Sequence, residues 1–446
     1  MWQLANSKIL SEKFDSDILN INDALCHACW SSNVPVIMYL LETVAHNLLD
    51  INSLLVHACR SGQIETVTLL VDIFDSKLFN ANMIMQQACL SSNVQMVNHL
   101  LQKLSLRDID LTLAVSMSCR SGSRKLVNFW LKTVDHNSID TKSAVNMAFL
   151  SGNLKCVESL LRVNQFKDYD LPMALNMACL SGKVEVVNFL LEKFSKQSFE
   201  MQPAMNKACL SRSADVVRVL IGKVDHELFN LKSAMNMACQ IIWNIEAVKY
   251  LLTKFNSKAF DMKSAMNTAC FYGNAEVVTY FINKLGPHHF DLKEALNKAC
   301  SPLCYADFLA DFPPDHFKFE SYLKYDMENG KTDVVHYFLN SFDHSMFDVK
   351  QAFNNACETG ILHLVHLFVI SVDHNRLDVT SAVNKSCAAG NANTVELLYS
   401  KFGPSVFDVK TALRKARLGK NRTIITFLED IKSAQTSGSK SSCTVT

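Results

Sequence analysis

An all-α fold, built as a solenoid of helical hairpins, is what three features of this sequence predict. A Cys preceded by a small residue recurs at Cys29, Cys59, Cys89, Cys119, Cys179, Cys209, Cys239, Cys270, Cys300, Cys357 and Cys387, and Phe149, Met327 and Arg417 hold the same phase where Cys is missing. That marks about fourteen copies of a 30-residue unit over residues 20–431; self-similarity at such a period signals a repeat array rather than separate globular domains. Within each copy two short stretches carry apolar residues at helical spacing. No stretch alternates apolar and polar residues as a half-buried strand would.

Composition supports a continuous core. Hydrophobic residues make up 49% of the 446, which rules out a disordered chain. Lys and Arg (44) balance Asp and Glu (43), so no global electrostatic footprint for nucleic acid is present and none is expected as a partner. No apolar run approaches the ~18 residues of a membrane span, and Met1 to Asn20 lacks the apolar core of a signal peptide.

The chain opens inside a copy. Lys13-Phe14 and Leu19-Asn20 align with Lys193-Phe194 and Phe199-Glu200, so residues 1–19 read as the second helix of a preceding unit. This partial repeat is either an N-terminal cap or a sign that the natural protein extends further. The apolar start at Trp2 and Leu4 offers little polar capping surface and favours the second.

The first helix of each copy starts at Asp or Asn nine residues before the marker: Asn20, Asp50, Asn80, Asp110, Asp140, Asp170, Asn230, Asp261, Asp291, Asp348, Asp378 and Asp408, with Glu200 and Lys318 as exceptions. These side chains accept from free helix N–H groups. The apolar residue before each, such as Phe199, Phe260 or Phe347, stands where a hydrophobic staple belongs. Gly three residues after the marker (Gly62, Gly122, Gly152, Gly182, Gly273, Gly330, Gly360, Gly390) is expected to end the first helix. The second helix is a Val-Val-x-x-Leu-Leu element such as Val186, Val187, Leu190 and Leu191. A short polar loop follows, often Asp-His, as at Asp135-His136, Asp225-His226, Asp343-His344 and Asp373-His374.

This unit resembles the ankyrin repeat over nearly the whole chain. Ser264-Ala265-Met266-Asn267-Thr268-Ala269-Cys270 stands where that family has Thr-Pro-Leu-His-x-Ala-Ala. Gly182 to Leu191 matches its Gly-x-x-x-Val-Val-x-x-Leu-Leu segment. Here Ala replaces Pro, Asn replaces His, and the period is 30 rather than about 33. The missing residues fall where ankyrin proteins build β-hairpin fingers, so the fingers are expected to be shortened or absent.

Register breaks at Gln240-Ile241-Ile242-Trp243-Asn244, which carries an extra residue, and after Cys300, where a copy loses three residues and its Gly and where Pro313-Pro314 should end the second helix early. The last copy is basic, with Lys410, Arg414, Lys415, Arg417, Lys420 and Arg422. A solvated polar cap is one reading; contact with phosphate, an acidic protein or a membrane is the other. Residues 432–446 are Ser-, Thr- and Lys-rich and are expected to be a disordered tail.

Few residues suggest chemistry. Eleven of the fifteen cysteines share one helical phase. Adjacent helices lie ~8–10 Å apart, too far for a disulfide, so reduced core thiols in a cytoplasmic or nuclear protein are expected. Cys26 with Cys29, or Cys300 with Cys304, lacks a second ligand pair with zinc spacing, so no metal is expected. Asn146, Asn176, Asn206, Asn236, Asn267, Asn297, Asn354 and Asn384, mid-helix one turn before the marker, are expected to form a structural ladder that bridges copies and satisfies loop carbonyls. Loop histidines are expected to bond locally. Cys443 in Cys-Thr-Val-Thr is a candidate for lipidation on an otherwise inert tail, which with the basic last copy would permit membrane contact at the C-terminal end.

No phosphate loop, nucleophile elbow or zinc-protease motif occurs, so no catalytic residue or cofactor is assigned. The expected function is that of a non-enzymatic, monomeric scaffold or adaptor presenting an extended repeat surface to a partner protein. The surface would include Lys207, Met237, Thr268, Lys298 and Lys385. A membrane-recruited adaptor, or the regulatory arm of a larger signalling or immune protein, is the alternative.

Overall fold

A computed structural model describes residues 21–46, 49–134, 139–162, 169–211, 213–242, 244–303, 305–309, 312 and 320–440. The chain forms two compact units, residues 1–211 with 219–224, and residues 212–218 with 225–446. Among the described residues every regular element is helical, and no strand occurs.

In the first unit, first helices α1 (Ile21–Trp30), α3 (Ile51–Ser61), α5 (Ala81–Leu90), α7 (Leu111–Arg120), α9 (Thr141–Ser151), α11 (Leu171–Ser181) and α13 (Met201–Leu210) stack in one layer. Second helices α2 (Val34–Thr43), α4 (Ile64–Ile73), α6 (Val94–Lys103), α8 (Arg124–Thr133), α10 (Leu154–Leu161) and α12 (Val184–Lys193) form the other. Helix α14 (Ala214–Lys223) has its residues divided between the units.

The second unit has first helices α15 (Leu231–Gln240), α17 (Met262–Tyr272), α19 (Leu292–Ala299), α22 (Val349–Thr359), α24 (Val379–Ala389) and α26 (Val409–Leu418). Its second helices are α16 (Ile245–Lys254), α18 (Ala275–Leu285), α21 (Glu320–Ser341), α23 (Leu362–Ser371), α25 (Ala392–Phe402) and α27 (Arg422–Lys440), with a short α20 (Tyr305–Leu309) between α19 and α21.

The starts of the first helices behave as their sequence dictates. Asp50, Asn80, Asp110, Asp170, Asp261, Asp291, Asp348, Asp378 and Asp408 each accept, through Oδ1, from the N–H three residues on, at 2.9–3.2 Å. Glu200 makes no such bond, since its longer side chain does not fit the cap geometry. At the far end Gly182 (φ 71°) takes the left-handed conformation. Ser32 and Ser92 adopt it at the same phase without being glycine (φ 53° and 63°). Ala, Met and Cys of the first helices and Val and Leu of the second are almost completely buried, for example Ala265, Met266, Cys270, Val277 and Val278.

The loops explain the missing fingers. Asp75, Ser105, Ser195, Asp225, Asn256, Asp343 and Asp373 each accept from the N–H two residues on, closing a one-turn 3-10 helix that leads straight into the next copy. Three residues of 3-10 helix replace a hairpin.

Two expectations are corrected. The described residues contain thirteen first helices, seven in the first unit and six in the second, where the sequence phases marked fourteen. The copy marked by Met327 is not a hairpin, because α21 runs unbroken through Gly330. Gly330 serves close approach rather than a turn: a Cβ there would collide with the Gly273 carbonyl oxygen, and one on Gly273 would lie 2.6 Å from Lys331 N and Met327 O. Helix α19 consequently packs directly on α22, and Lys293 reaches Asp348 at 3.6 Å. The C-terminal half of α21, with Val334, Val335, Phe338 and Leu339 buried, supplies the second helix of the α19 hairpin. Residues 301–330 are therefore an insertion within one copy, and its Phe308 is buried against Tyr272, ring centroids 5.6 Å apart. Pro313 and Pro314 lie outside the described residues. Residues 432–440, assigned to the tail, extend α27 to Lys440, since buried Leu428 and Ile431 anchor a helix that propagates at little cost.

Candidate interaction surface

The predicted asparagine ladder is only partly assembled. Asn236 does bridge copies, its Nδ2 donating to Ser264 Oγ at 3.0 Å. Asn206 instead accepts from Gln202 of its own helix at 2.7 Å. The Oδ1 atoms of Asn176, Asn236, Asn297, Asn354 and Asn384 are buried and accept no hydrogen bond from the protein. Asn146 and Asn267 occupy the same half-buried phase.

The carbonyls of the turns are satisfied by a different column, which sequence reasoning missed. The residue capping the second helix, four after the marker, donates back to the turn of the preceding copy. Asn93 reaches Gly62 O at 3.2 Å, Asn153 reaches Gly122 O at 2.7 Å and Asn421 reaches Gly390 O at 2.9 Å. Asn274 reaches Ile241 O (2.7 Å) and Cys239 O (3.3 Å), and Asn391 reaches Glu358 O (2.9 Å) and Cys357 O (3.1 Å). The geometry decides this: the open carbonyls lie at the marker and in the turn after it, where the cap of the next second helix arrives, and the mid-helix amide lies a helical turn before them. A further row in the first unit runs through Asn22, Asn52, Asn82 and Thr112, whose side chains accept from the capping N–H of the next copy at 2.5–3.1 Å. The signal for both columns was present as a recurring Asn at a fixed phase.

Lys331 fills the second-helix cap position after the insertion. Its Nζ donates to Ser301 O (2.6 Å) and Ala299 O (3.3 Å) and lies 4.9 Å from the centre of the Phe271 ring. Burial lowers its pKa to about 8. The loop histidines bond locally, as expected: His344 to Leu339 O at 2.9 Å and His374 to Val369 O at 3.0 Å. Asp135-His136 lies outside the described residues.

The cysteine column is inert. Thirteen described cysteines are free and buried. Burial pushes Cys29, Cys209, Cys300 and Cys387 up to about 12, away from the thiolate a nucleophile needs. Cys304 and Cys443 lie outside the described residues. No described helix is long and apolar enough to cross a membrane.

What faces outward on the first helices is the column two residues before the marker. Lys298 is exposed, while Lys207, Met237, Thr268 and Lys385 are half-buried. Lys385 pairs with Glu358 at 2.7 Å, and Thr268 donates to Ser264 O at 2.9 Å. Loop tips add exposed apolar side chains, Leu78 at 55%, Leu228 at 56% and Met346 at 47%.

Residues 111–202 match the family model of ankyrin repeats, in three copies. The crystal structure of the human ASB11 ankyrin repeat domain is similar at 21% identity, covering 45% of this chain and 97% of that one, with a TM-score of 0.32. No curated protein matches the chain. Ankyrin repeats generally mediate protein–protein interaction, and their fold is typically a non-enzymatic module. The family match thus places three ankyrin repeats at residues 111–202, and the same capped hairpin recurs among the described residues on either side of them.

Proposed function

We propose that this protein is a non-enzymatic scaffold or adaptor that binds a partner protein through the outward column of its first helices and the adjoining loop tips. One observation carries the reading. The inward columns hold nearly constant small or apolar residues, whereas the outward column changes from copy to copy. It reads His27, His57, Gln87, Met147, Met177, Lys207, Met237, Thr268, Lys298, Asn355 and Lys385, with Met117 the buried member of the column. A fixed frame with freely varied surface side chains suits recognition spread over several copies. It offers little to catalysis, which needs a convergent group of residues. Proximity labelling with the full chain should identify a partner, and Lys298→Glu with Met237→Glu should remove it while the circular dichroism spectrum stays unchanged. Labelling identical to wild type in that variant would reject the assignment of this face.

A further inference from the structure

We propose that the outer face of α26 is a docking groove for an acidic amphipathic helix of a partner protein. The proposal rests on the interaction-module reading above and adds the chemistry of one partner. Lys410, Leu413, Arg414, Arg417 and Leu418 of α26, with Lys432 of α27, line a groove of about 390 Å³. In interior copies the equivalent positions face the next first helix. Arg414 stands in the column of Asn354 and Asn384, Arg417 in the marker column of Cys357 and Cys387, and Leu413 in that of Phe353 and Val383. The column of Leu418 is filled by Leu150, Leu180 and Leu210, which are 8%, 3% and 2% exposed, whereas Leu418 is 73% exposed.

Within this unit these columns receive a helix at the preceding steps, as α24 receives α26. The surface thus has the form of a helix-binding face in which an amide and a thiol have become guanidinium groups. Between Asp408 and Lys432 seven cations meet three carboxylates, in a chain whose net charge is only +1. Of the three, Glu429 pairs with Arg417 at 3.1 Å and Asp408 is engaged as a helix cap. Charge complementarity calls for carboxylates, and exposed Leu418, beside the edge of buried Leu413, calls for an apolar stripe between them. A concave seat of this kind favours a helix over a flat membrane surface.

The test is fluorescence anisotropy of a labelled helical peptide of about twenty residues, a Leu stripe flanked by Glu, titrated with the full chain. Saturable binding is expected, weakened at least about tenfold by Lys410→Glu/Arg414→Glu and again by Leu418→Asp, and weakened by added salt. Lys142→Glu/Lys155→Glu makes the same charge change on exposed residues of the other unit and should leave binding intact. Circular dichroism confirms that each variant is folded. Unchanged binding in the groove variants, or equal loss in the control, overturns the proposal. So does groove-dependent capture of phosphatidylserine vesicles without peptide binding, which would make the face a membrane contact. Partner labelling that survives the groove variants leaves the general reading standing, so the two fail separately.

Discussion

The column of buried thiols should make this protein unfold in mild alkali by an amount its structure sets. Cys29, Cys89, Cys209, Cys300 and Cys387 are fully buried, and desolvation raises each thiol from an ordinary 9.0 to about 12. Between those values the unfolded chain releases protons that the folded chain keeps. Stability is therefore complete below the unfolded value and falls as pH rises through it. At about pH 10 the unfolded state gains roughly 1.4 kcal/mol per such thiol, or about 7 kcal/mol for the five, comparable with the whole stability of many domains. The assay is urea unfolding followed by circular dichroism at about pH 7 and pH 10, with reductant present. The comparison is wild type against Cys89→Ala/Cys209→Ala/Cys387→Ala. The variant should be less stable near neutrality, having lost buried sulfur, yet lose about 4 kcal/mol less than wild type in alkali. An equal alkaline loss in both proteins would refute the argument that these thiols stay protonated because they are buried.

Three further outcomes are expected. Trp130 Nε1 donates to Ser118 Oγ at 2.8 Å in the core, so Ser118→Ala should cost about 1–3 kcal/mol by orphaning the indole N–H. In a Trp130→Leu background that cost should vanish, and chemical denaturation of the four proteins of this cycle would expose a persistent cost. Gly330→Ala should lower the melting temperature despite Ala's advantage of about 1 kcal/mol in a helix, because its Cβ meets the Gly273 carbonyl; a stabilised variant would mean that α21 does not lie where described. Met266, 1% exposed, tolerates no charge: Met266→Asp should cost several kcal/mol while Lys298→Ala is nearly silent, and equal shifts in thermal melts would reverse the assigned facing.

Much of this fold was legible because its signals are local. Asp170 starts a helix by accepting from Met173 N, and Gly182 ends it in the left-handed region; both effects act within a few residues of chain. The shortened loop predicted the loss of fingers for the same reason. What sequence could not decide was which of two equally periodic asparagines reaches a carbonyl in the neighbouring copy. Asn384 and Asn391 have the same period and the same chemistry. Only packing shows that Asn391 meets Cys357 O and Glu358 O while the carbonyl oxygen of Asn384 is left without a donor. Gly330 failed for a related reason: a turn glycine and a contact glycine look identical until the opposing backbone is known.

The insertion between α19 and the end of α21 follows from what each step of the stack requires. Every turn after a first helix leaves carbonyls that need a donor from the next copy, and a short amide can supply it only when the next second helix starts at the usual place. Residues 301–330 displace that start, and the second helix arrives as the far half of a long helix held against the Gly273 turn by Gly330. The donor must then reach further. Lys331 has that reach, and its ammonium meets Ala299 O and Ser301 O over the face of Phe271. Burying a lysine is costly enough to lower its pKa to about 8, yet the two carbonyls and the ring partly offset this cost. The marker columns then close across the gap, with Cys300 and Cys357 in neighbouring helices although 57 residues apart in sequence. The eleventh phase in the sequence, marked by Met327, is thereby absorbed into the tenth hairpin.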